Sequence, residues 1–205
     1  MAALLGREKK VVMHFPGGCN IGKRPIDQTL KGFVGLGAKI NEINDCYTIT
    51  ADKLVGSKIY LDIPSVGATV NTLIASVLAE GTTIIENVAK EPEIVNVAQL
   101  LNNMGAKIKG AGTSRIEIEG VKELHEGEVT VIPDRIEAGT YIIAGALVGE
   151  NLKVENIIPE HIESLIKKLK EMEIKTVLNE NSIIVSANPN MKPTNIITKV
   201  YPGFP

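Results

Sequence analysis

The sequence predicts an α/β (α+β) domain with threefold pseudo-symmetry. Repeated βαβαββ-type units form an inside-out, barrel-like arrangement, with helices central and small sheets outside. Two observations carry this prediction. The first is that one pattern is read three times. Gly37-Ala38-Lys39-Ile40 recurs 68 residues later as Gly105-Ala106-Lys107-Ile108, and the same step leads on to Glu173-Ile174-Lys175. Pro25, Pro92 and Pro159 each open a helical pattern, and Glu86-Asn87 recurs as Glu155-Asn156. Self-similarity at a fixed period marks a structural unit repeated along the chain. The second is that one helix of each unit is thin and apolar while the other is amphipathic, which assigns one to the centre and the other to the periphery.

Each unit opens with the apolar helix, at 68–80 and 138–148, and in the first copy only 2–5 remains of it. Ala75, Ser76 and Ala79, like Ala144, Gly145 and Ala146, keep these helices thin enough for close packing. A strand follows at 11–15, 82–87 and 152–156. Next is the proline-started helix, at 26–36, 93–104 and 160–172. Proline suits a first turn because its missing N–H would be unpaired there anyway. Lys167, Lys168 and Lys170 give the third of these helices a wet face. Three short strands are expected to close each unit, at 107–109, 115–119 and 128–132 in copy two and at 175–178, 182–186 and 195–198 in copy three. Arg115-Ile116-Glu117-Ile118-Glu119 alternates with period two, which puts one face in a core and the other in water. The expected organisation is a single domain over 1–205, with repeats at about 1–63, 64–132 and 133–199. It is expected to be N-terminally truncated, with 200–205 starting the linker to a missing second domain.

Composition narrows the functional classes. The chain has 205 residues, 44% of them hydrophobic, and a formal net charge of −2. That charge argues against broad binding to nucleic acid or an anionic membrane, so any anion site must be local. Aromatic residues are 3% and Trp is absent, which leaves few platforms for stacking bases. Cys19 and Cys46 cannot build a disulfide framework, and free thiols fit a reducing cytoplasm. Residues 1–6 are too short for a signal peptide's apolar region or a membrane span.

The copies differ at one place. The turn from strand to helix is short in copies two and three, at 88–91 and 157–158, but runs from Pro16 to Arg24 in copy one. The added length brings Gly17, Gly18, Cys19, Asn20, Gly22, Lys23 and Arg24. Repetition explains the scaffold; departure from it marks the expected site. Glycines let backbone N–H groups approach a ligand, the helix start at Pro25 adds its positive dipole end, and Arg24 can grip a phosphate with two bonds. A thiol in a glycine turn beside two cations is expected to be exposed, with a lowered pKa. The bland reading is a long glycine-rich turn with Cys19 as a small apolar residue.

Gly17 to Lys23 also fits G-x-x-x-x-G-K, the phosphate loop of nucleotide hydrolases. Arg24 stands where that loop needs Ser or Thr for magnesium, and Pro25 follows where its helix should already run. A second helix start, Pro64-Ser65-Val66-Gly67-Ala68-Thr69, offers an N-cap and an open backbone. It reads equally as a phosphate contact and as a plain cap. Its counterpart in copy three begins with Asp134, which can cap its own helix and would repel an anion. His14, His125 and His161 lack metal-ligand spacing, so no metal and no cofactor is expected. Cys46 reads as packing.

Together these features resemble one family, the UDP-N-acetylglucosamine 1-carboxyvinyltransferases, enolpyruvyl transferases of the first committed step of peptidoglycan synthesis. The resemblance rests on the loop from Pro16 to Asp27, on Pro64 to Thr69, on Ala79-Glu80-Gly81-Thr82-Thr83-Ile84-Ile85-Glu86-Asn87, on Lys90 to Val95 and on Pro133 to Thr140. A sister family that makes enolpyruvyl-shikimate phosphate shares the repeated fold without this cysteine loop. The resemblance implies transfer of the enolpyruvyl group of phosphoenolpyruvate to the sugar 3′-hydroxyl by addition and elimination, releasing phosphate. Cys19 matches the cysteine that protonates the methylene carbon, forms a covalent phosphoenolpyruvate adduct and is alkylated by fosfomycin. Arg24 matches a residue contacting both substrates. Pro25, Ile26, Asp27 and Gln28 match the segment lining the UDP site, and Ser65, Val66 and Gly67 match the helix start contacting the diphosphate. Ile63 departs from the lysine that some members carry there. The family has two such domains in about twice this length, so the implied partner is the missing second domain, and the fragment alone is expected to be inactive. The alternative is a non-catalytic nucleotide-sugar-binding module.

Overall fold

The computed structural model describes residues 1–14 and 25–204. These divide into two compact units, Met1–Thr130 and Val131–Pro205. Copies one and two fall in the first unit and copy three in the second.

The first unit contains α1 (Ala2–Glu8), β1 (Lys10–His14), α2 (Asp27–Gly35), β2 (Lys39–Ile43), β3 (Cys46–Thr50), β4 (Lys58–Tyr60), α3 (Val66–Ser76), β5 (Thr82–Glu86), α4 (Pro92–Asn103), β6 (Lys107–Lys109) and β7 (Arg115–Glu119). One sheet has the order β1-β3-β2, antiparallel throughout. The other has the order β4-β5-β7-β6, with β4 parallel to β5 and the rest antiparallel. In β7, Ile116 and Ile118 are fully buried, as the period-two alternation requires.

α3 is the centre of this unit. It packs against α1, α2 and α4. Its small residues make that possible: Ala68, Thr69, Thr72, Ala75 and Ser76 are buried along with Leu73. The approach of α2 is closest. A Cβ on Gly32 would strike the Thr72 hydroxyl well inside van der Waals contact and lie 3.1 Å from Thr72 Cβ and Cγ2. Phe33, Leu36, Ile49, Leu73, Ile85 and Ile94 fill the surrounding core. Asn102 braces α4 to the next strand, its Oδ1 accepting from the Ile108 N–H at 2.8 Å and its Nδ2 donating to the Ile108 carbonyl at 3.0 Å.

The second unit contains α5 (Arg135–Val148), β8 (Leu152–Glu155), a 3₁₀ turn at Pro159–Ile162, α6 (Glu163–Glu171), β9 (Lys175–Leu178) and β10 (Ser182–Ser186). Its sheet has the order β8-β10-β9, antiparallel throughout. Its own core gathers Ile142, Ile166, Leu169, Ile183 and Val185. One strand order, leading–last–middle, therefore recurs within all three sheets of the described residues, with β4 added in parallel at the β5 edge of the second.

The structure corrects several expectations. Residues 128–132 form no strand. Side chains of α4 hold that segment instead of a ladder: Asn96 Nδ2 donates to the Thr130 carbonyl at 3.1 Å and Asn103 Nδ2 to that of Glu128 at 2.7 Å. Of 195–198, only Thr198 pairs, in an isolated bridge to Phe204. The helix expected over 68–80 ends at Ser76, where the chain tightens into a turn with the Ala79 N–H on the Ser76 carbonyl at 3.1 Å. The third proline-started helix begins with a 3₁₀ turn, closed by the His161 N–H on the Ile158 carbonyl at 3.0 Å. The first helix runs on to Glu8, where Lys9 in the left-handed region closes it. α5 buries only one face: Ala138, Ile142, Gly145 and Ala146 are covered, while Ile136, Ile143 and Leu147 remain exposed.

The α2–α3 approach makes a testable demand. Gly32→Ala should lower the unfolding free energy by about 1–3 kcal/mol through overpacking. Adding Thr72→Ala removes the struck hydroxyl and the Cγ2 methyl and should recover most of that loss. Urea denaturation of the three proteins checks both statements.

Candidate functional site at two helix starts

Cys19 and Arg24, with the rest of 15–24, lie outside the described residues. The remaining candidates, Pro25, Ile26, Asp27, Gln28, Ser65, Val66 and Gly67, occupy the starts of α2 and α3, which the structure brings together.

The α3 start is set by Ser65. Its Oγ accepts from the Ala68 N–H at 3.3 Å, and its carbonyl accepts from the Thr69 N–H at 2.9 Å. Val66 and Gly67 precede the first residues with intrahelical acceptors, so by helix geometry their N–H groups point outward along the positive end of the dipole. Gly67 is exposed, and a Cβ there would meet nothing within 4 Å, so the approach to its backbone is open. Thr69 roots the helix start, its Oγ1 accepting from the Ala89 N–H at 3.0 Å.

The α2 start differs. Its N-cap is Ile26, which supplies no side-chain acceptor. Pro25 and Asp27 are exposed and Ile26 half-buried. By contrast, Asp134 at the start of α5 caps as expected, its Oδ1 accepting from Ile136 N–H at 2.7 Å and Glu137 N–H at 3.2 Å. A carboxylate on those donors leaves them unsuited to an anion.

Gln28 is the buried member of the set, at 8% exposure. Its Nε2 donates to Asp27 Oδ2 at 2.8 Å and Asp62 Oδ2 at 3.1 Å, and its Oε1 accepts from the Asp62 N–H at 2.8 Å. Lys31, one turn along, donates from Nζ to Asp62 Oδ1 at 2.6 Å. The Lys31 ammonium, and after it the Gln28 amide, hold the Asp62 carboxyl below its usual range. Behind Asp62, the Leu61 N–H reaches the Glu86 carbonyl at 3.1 Å and the Leu61 carbonyl accepts from Asn87 Nδ2 at 2.8 Å. Sequence reasoning missed Asp62 and Lys31. The available signal was Gln28 itself: a polar side chain on the inner face of an amphipathic helix needs partners. Ile63, two residues before the Ser65 cap, is 56% exposed.

The other candidates lie on other elements. Cys46 is half-buried in β3, in register with His14 on one side and Ile43 on the other. His125 Nδ1 is 2.7 Å from the Glu126 carbonyl, and its ring lies against Gly105. His161 belongs to the second unit. Among the described residues no group of His, Cys, Asp and Glu has the geometry to hold a metal ion, and no helix is long and apolar enough to cross a membrane.

Comparison with known proteins gives the chain's family. The model of the EPSP synthase (3-phosphoshikimate 1-carboxyvinyltransferase) family matches residues 1–205, and the chain belongs to that family. Within it, the chain is 55% identical over 206 residues to UDP-N-acetylglucosamine 1-carboxyvinyltransferase 2 of Bacillus subtilis. It is 53% identical over 205 residues to the protein of the same name from Listeria monocytogenes. Both alignments cover 100% of this chain and 48% of the relative, so the chain spans about half the length of the curated relatives it matches. Among solved structures, the enolpyruvyl transferase NikO from Streptomyces tendae superimposes with a TM-score of 0.81 at 23% identity, over 99% of this chain and 49% of that one. An EPSP synthase from Acinetobacter baumannii gives a TM-score of 0.63 at 22% identity, over 90% of this chain and 44% of that one. These two show the shared mixed helix-and-sheet fold.

Two substitutions probe the helix starts. Ser65→Ala should cost about 0.5–1 kcal/mol, the low end of the capping range, because the bond it removes is long. Asp62 has a lowered folded-state pKa, so its contribution is complete above the usual carboxylate value near pH ~4 and is lost as pH falls through the folded value. Asp62→Asn should therefore flatten the acid side of the stability profile and leave its slope near neutral pH unchanged. Denaturant titrations across that range read both effects.

Proposed function

We propose that this chain carries the cysteine-loop part of an enolpyruvyl transfer. In it, the enolpyruvyl group of phosphoenolpyruvate passes to the 3′-hydroxyl of UDP-N-acetylglucosamine with release of phosphate, in cytoplasmic peptidoglycan synthesis. The supporting observation is the pair of helix starts. The α3 start presents outward N–H groups beside an open Gly67, and the start of α2, which packs against α3, has no side-chain cap. Such a pair suits a diphosphate. The names of the relatives supply the substrate class.

In this reading Cys19 delivers a proton to the methylene carbon of phosphoenolpyruvate, and Arg24 binds its phosphate. Pro25, Ile26, Asp27 and the Gln28 backbone line the uridine side, and Ser65, Val66 and Gly67 bind the diphosphate. The 3′-hydroxyl oxygen bonds to the enol carbon as the proton reaches the methylene, the hydroxyl's own proton passing to a base; loss of phosphate from that carbon together with one proton from the new methyl group then restores the double bond. A general acid must hold its proton near neutral pH, yet Lys23 and Arg24 favour the thiolate. At the level of the fold, the reading is a threefold pseudo-symmetric, inside-out barrel with helices central, supported by one strand order in three sheets. A second reading, a non-catalytic nucleotide-sugar-binding module, draws on the 48% share of the relatives that the chain spans.

Assayed alone with both substrates, the chain should release no phosphate above background, because the other wall of the cleft belongs to a second domain; measurable turnover would overturn that claim. Calorimetric titration with UDP-N-acetylglucosamine, with and without that domain supplied, separates the two readings. In a full-length enzyme carrying this loop, Cys19→Ser should abolish turnover while Cys19→Asp, still an acid, keeps proton donation. A fully active Cys19→Ser protein would refute the role given to the thiol.

A further inference from the structure

Gln28 stands at the edge of the proposed ligand site with its side chain fully occupied elsewhere. The clasp it makes has two points: Nε2 gives a proton to Asp62 Oδ2 at 3.1 Å, while Oε1 takes one from the Asp62 N–H at 2.8 Å. We infer that Gln28 is a positioning residue, which acts through Asp62 to hold the start of α3 against the start of α2. This rests on the reading of the two helix starts as the diphosphate site.

The side-chain chemistry is selective. An amide has a donor and an acceptor at one end, and the clasp uses both. A glutamate of the same length has no donor and would face the carboxylates of Asp27 and Asp62. A leucine would leave the Asp62 N–H without the acceptor it now has. Lys31 strengthens Asp62 from the same helix face, but that pair is exposed, with side-chain accessibilities of 42% and 61%, and exposed ion pairs contribute little. The buried amide is therefore the stronger tether. Asp62 stands three residues before Ser65, and Asn87 pins the carbonyl of Leu61 from the other side. With both neighbours held, the short path through Ile63 and Pro64 fixes where the Val66 and Gly67 N–H groups aim. The helices are also locked further along at Gly32 and Thr72, so the clasp sets the aim of the starts while the crossing sets their distance.

The test uses this chain, with UDP-N-acetylglucosamine as probe. Amide hydrogen exchange is read without ligand, and affinity by calorimetry. Gln28→Leu and Gln28→Glu should each speed exchange across 62–69 and weaken binding about tenfold, as loss of one or two buried hydrogen bonds implies. The pair Gln28→Glu with Asp62→Asn restores a donor opposite an acceptor with roles reversed. It should bring both readouts back toward wild type, which a simple packing role would not do. Faster exchange with unchanged affinity overturns the proposal. So does weakened binding with unchanged exchange, which would mean that Gln28 touches the ligand directly, and so does a pair no better than Gln28→Glu. If the wild-type chain does not bind the probe even with the second domain supplied, the functional reading falls, and exchange with its rescue by the pair still decides the clasp.

Discussion

The crossing of α2 and α3 is the constraint from which the rest of the first unit follows. Gly32 brings the two axes close over Thr72, whose side chain is fully buried and whose hydroxyl has no hydrogen-bond partner among the described residues. An unmatched buried hydroxyl costs about 1–3 kcal/mol, so this contact is unfavourable taken alone. Its compensation lies around it, in the apolar core of Phe33, Leu36 and Leu73. What it yields is geometry: two helices held close, with Gln28 in the first turn of α2 bonded to Asp62 just ahead of the α3 start.

Helix ends differ by what caps them. Asp134 gives the α5 start a negative charge, Ser65 gives the α3 start a neutral acceptor, and Ile26 gives the α2 start none. The order runs from a start that repels an anion to one that leaves its donors to whatever binds. Under the proposed function, similar helix starts serve as scaffold in one place and as an anion site in another, by exchanging the residue just before the first turn. In the proposed reaction the role of Cys19 depends on that site, since a proton delivered to phosphoenolpyruvate would be useful only with the acceptor sugar already held by its diphosphate.

Much of this was legible in the sequence. The three proline-started helices and the strands before them follow from repetition and period, and Ile116 and Ile118 go inward as their alternation demands. Ser65 and Asp134 cap as their side chains dictate. The strands expected at 128–132 and 195–198 did not form, because a strand needs a partner and short-range patterning does not name one; Asn96 and Asn103 took the carbonyls of the first instead. Gln28 was legible as a neighbour of the site but not as a clasp, because Asp62 lies 34 residues away in sequence and nothing local links them. The exposed face of α5 was hidden for a similar reason, since composition marks a helix as apolar without saying how many of its sides are covered.

The central claim is that the paired starts of α2 and α3 bind a nucleotide diphosphate. The most direct measurement is a titration of isotopically labelled chain with uridine diphosphate alone, following the backbone amides. The account predicts saturable shifts concentrated at Val66, Gly67 and Asp27, with the amides at the start of α5 unmoved. Saturable shifts elsewhere, with those three amides unchanged, would contradict it.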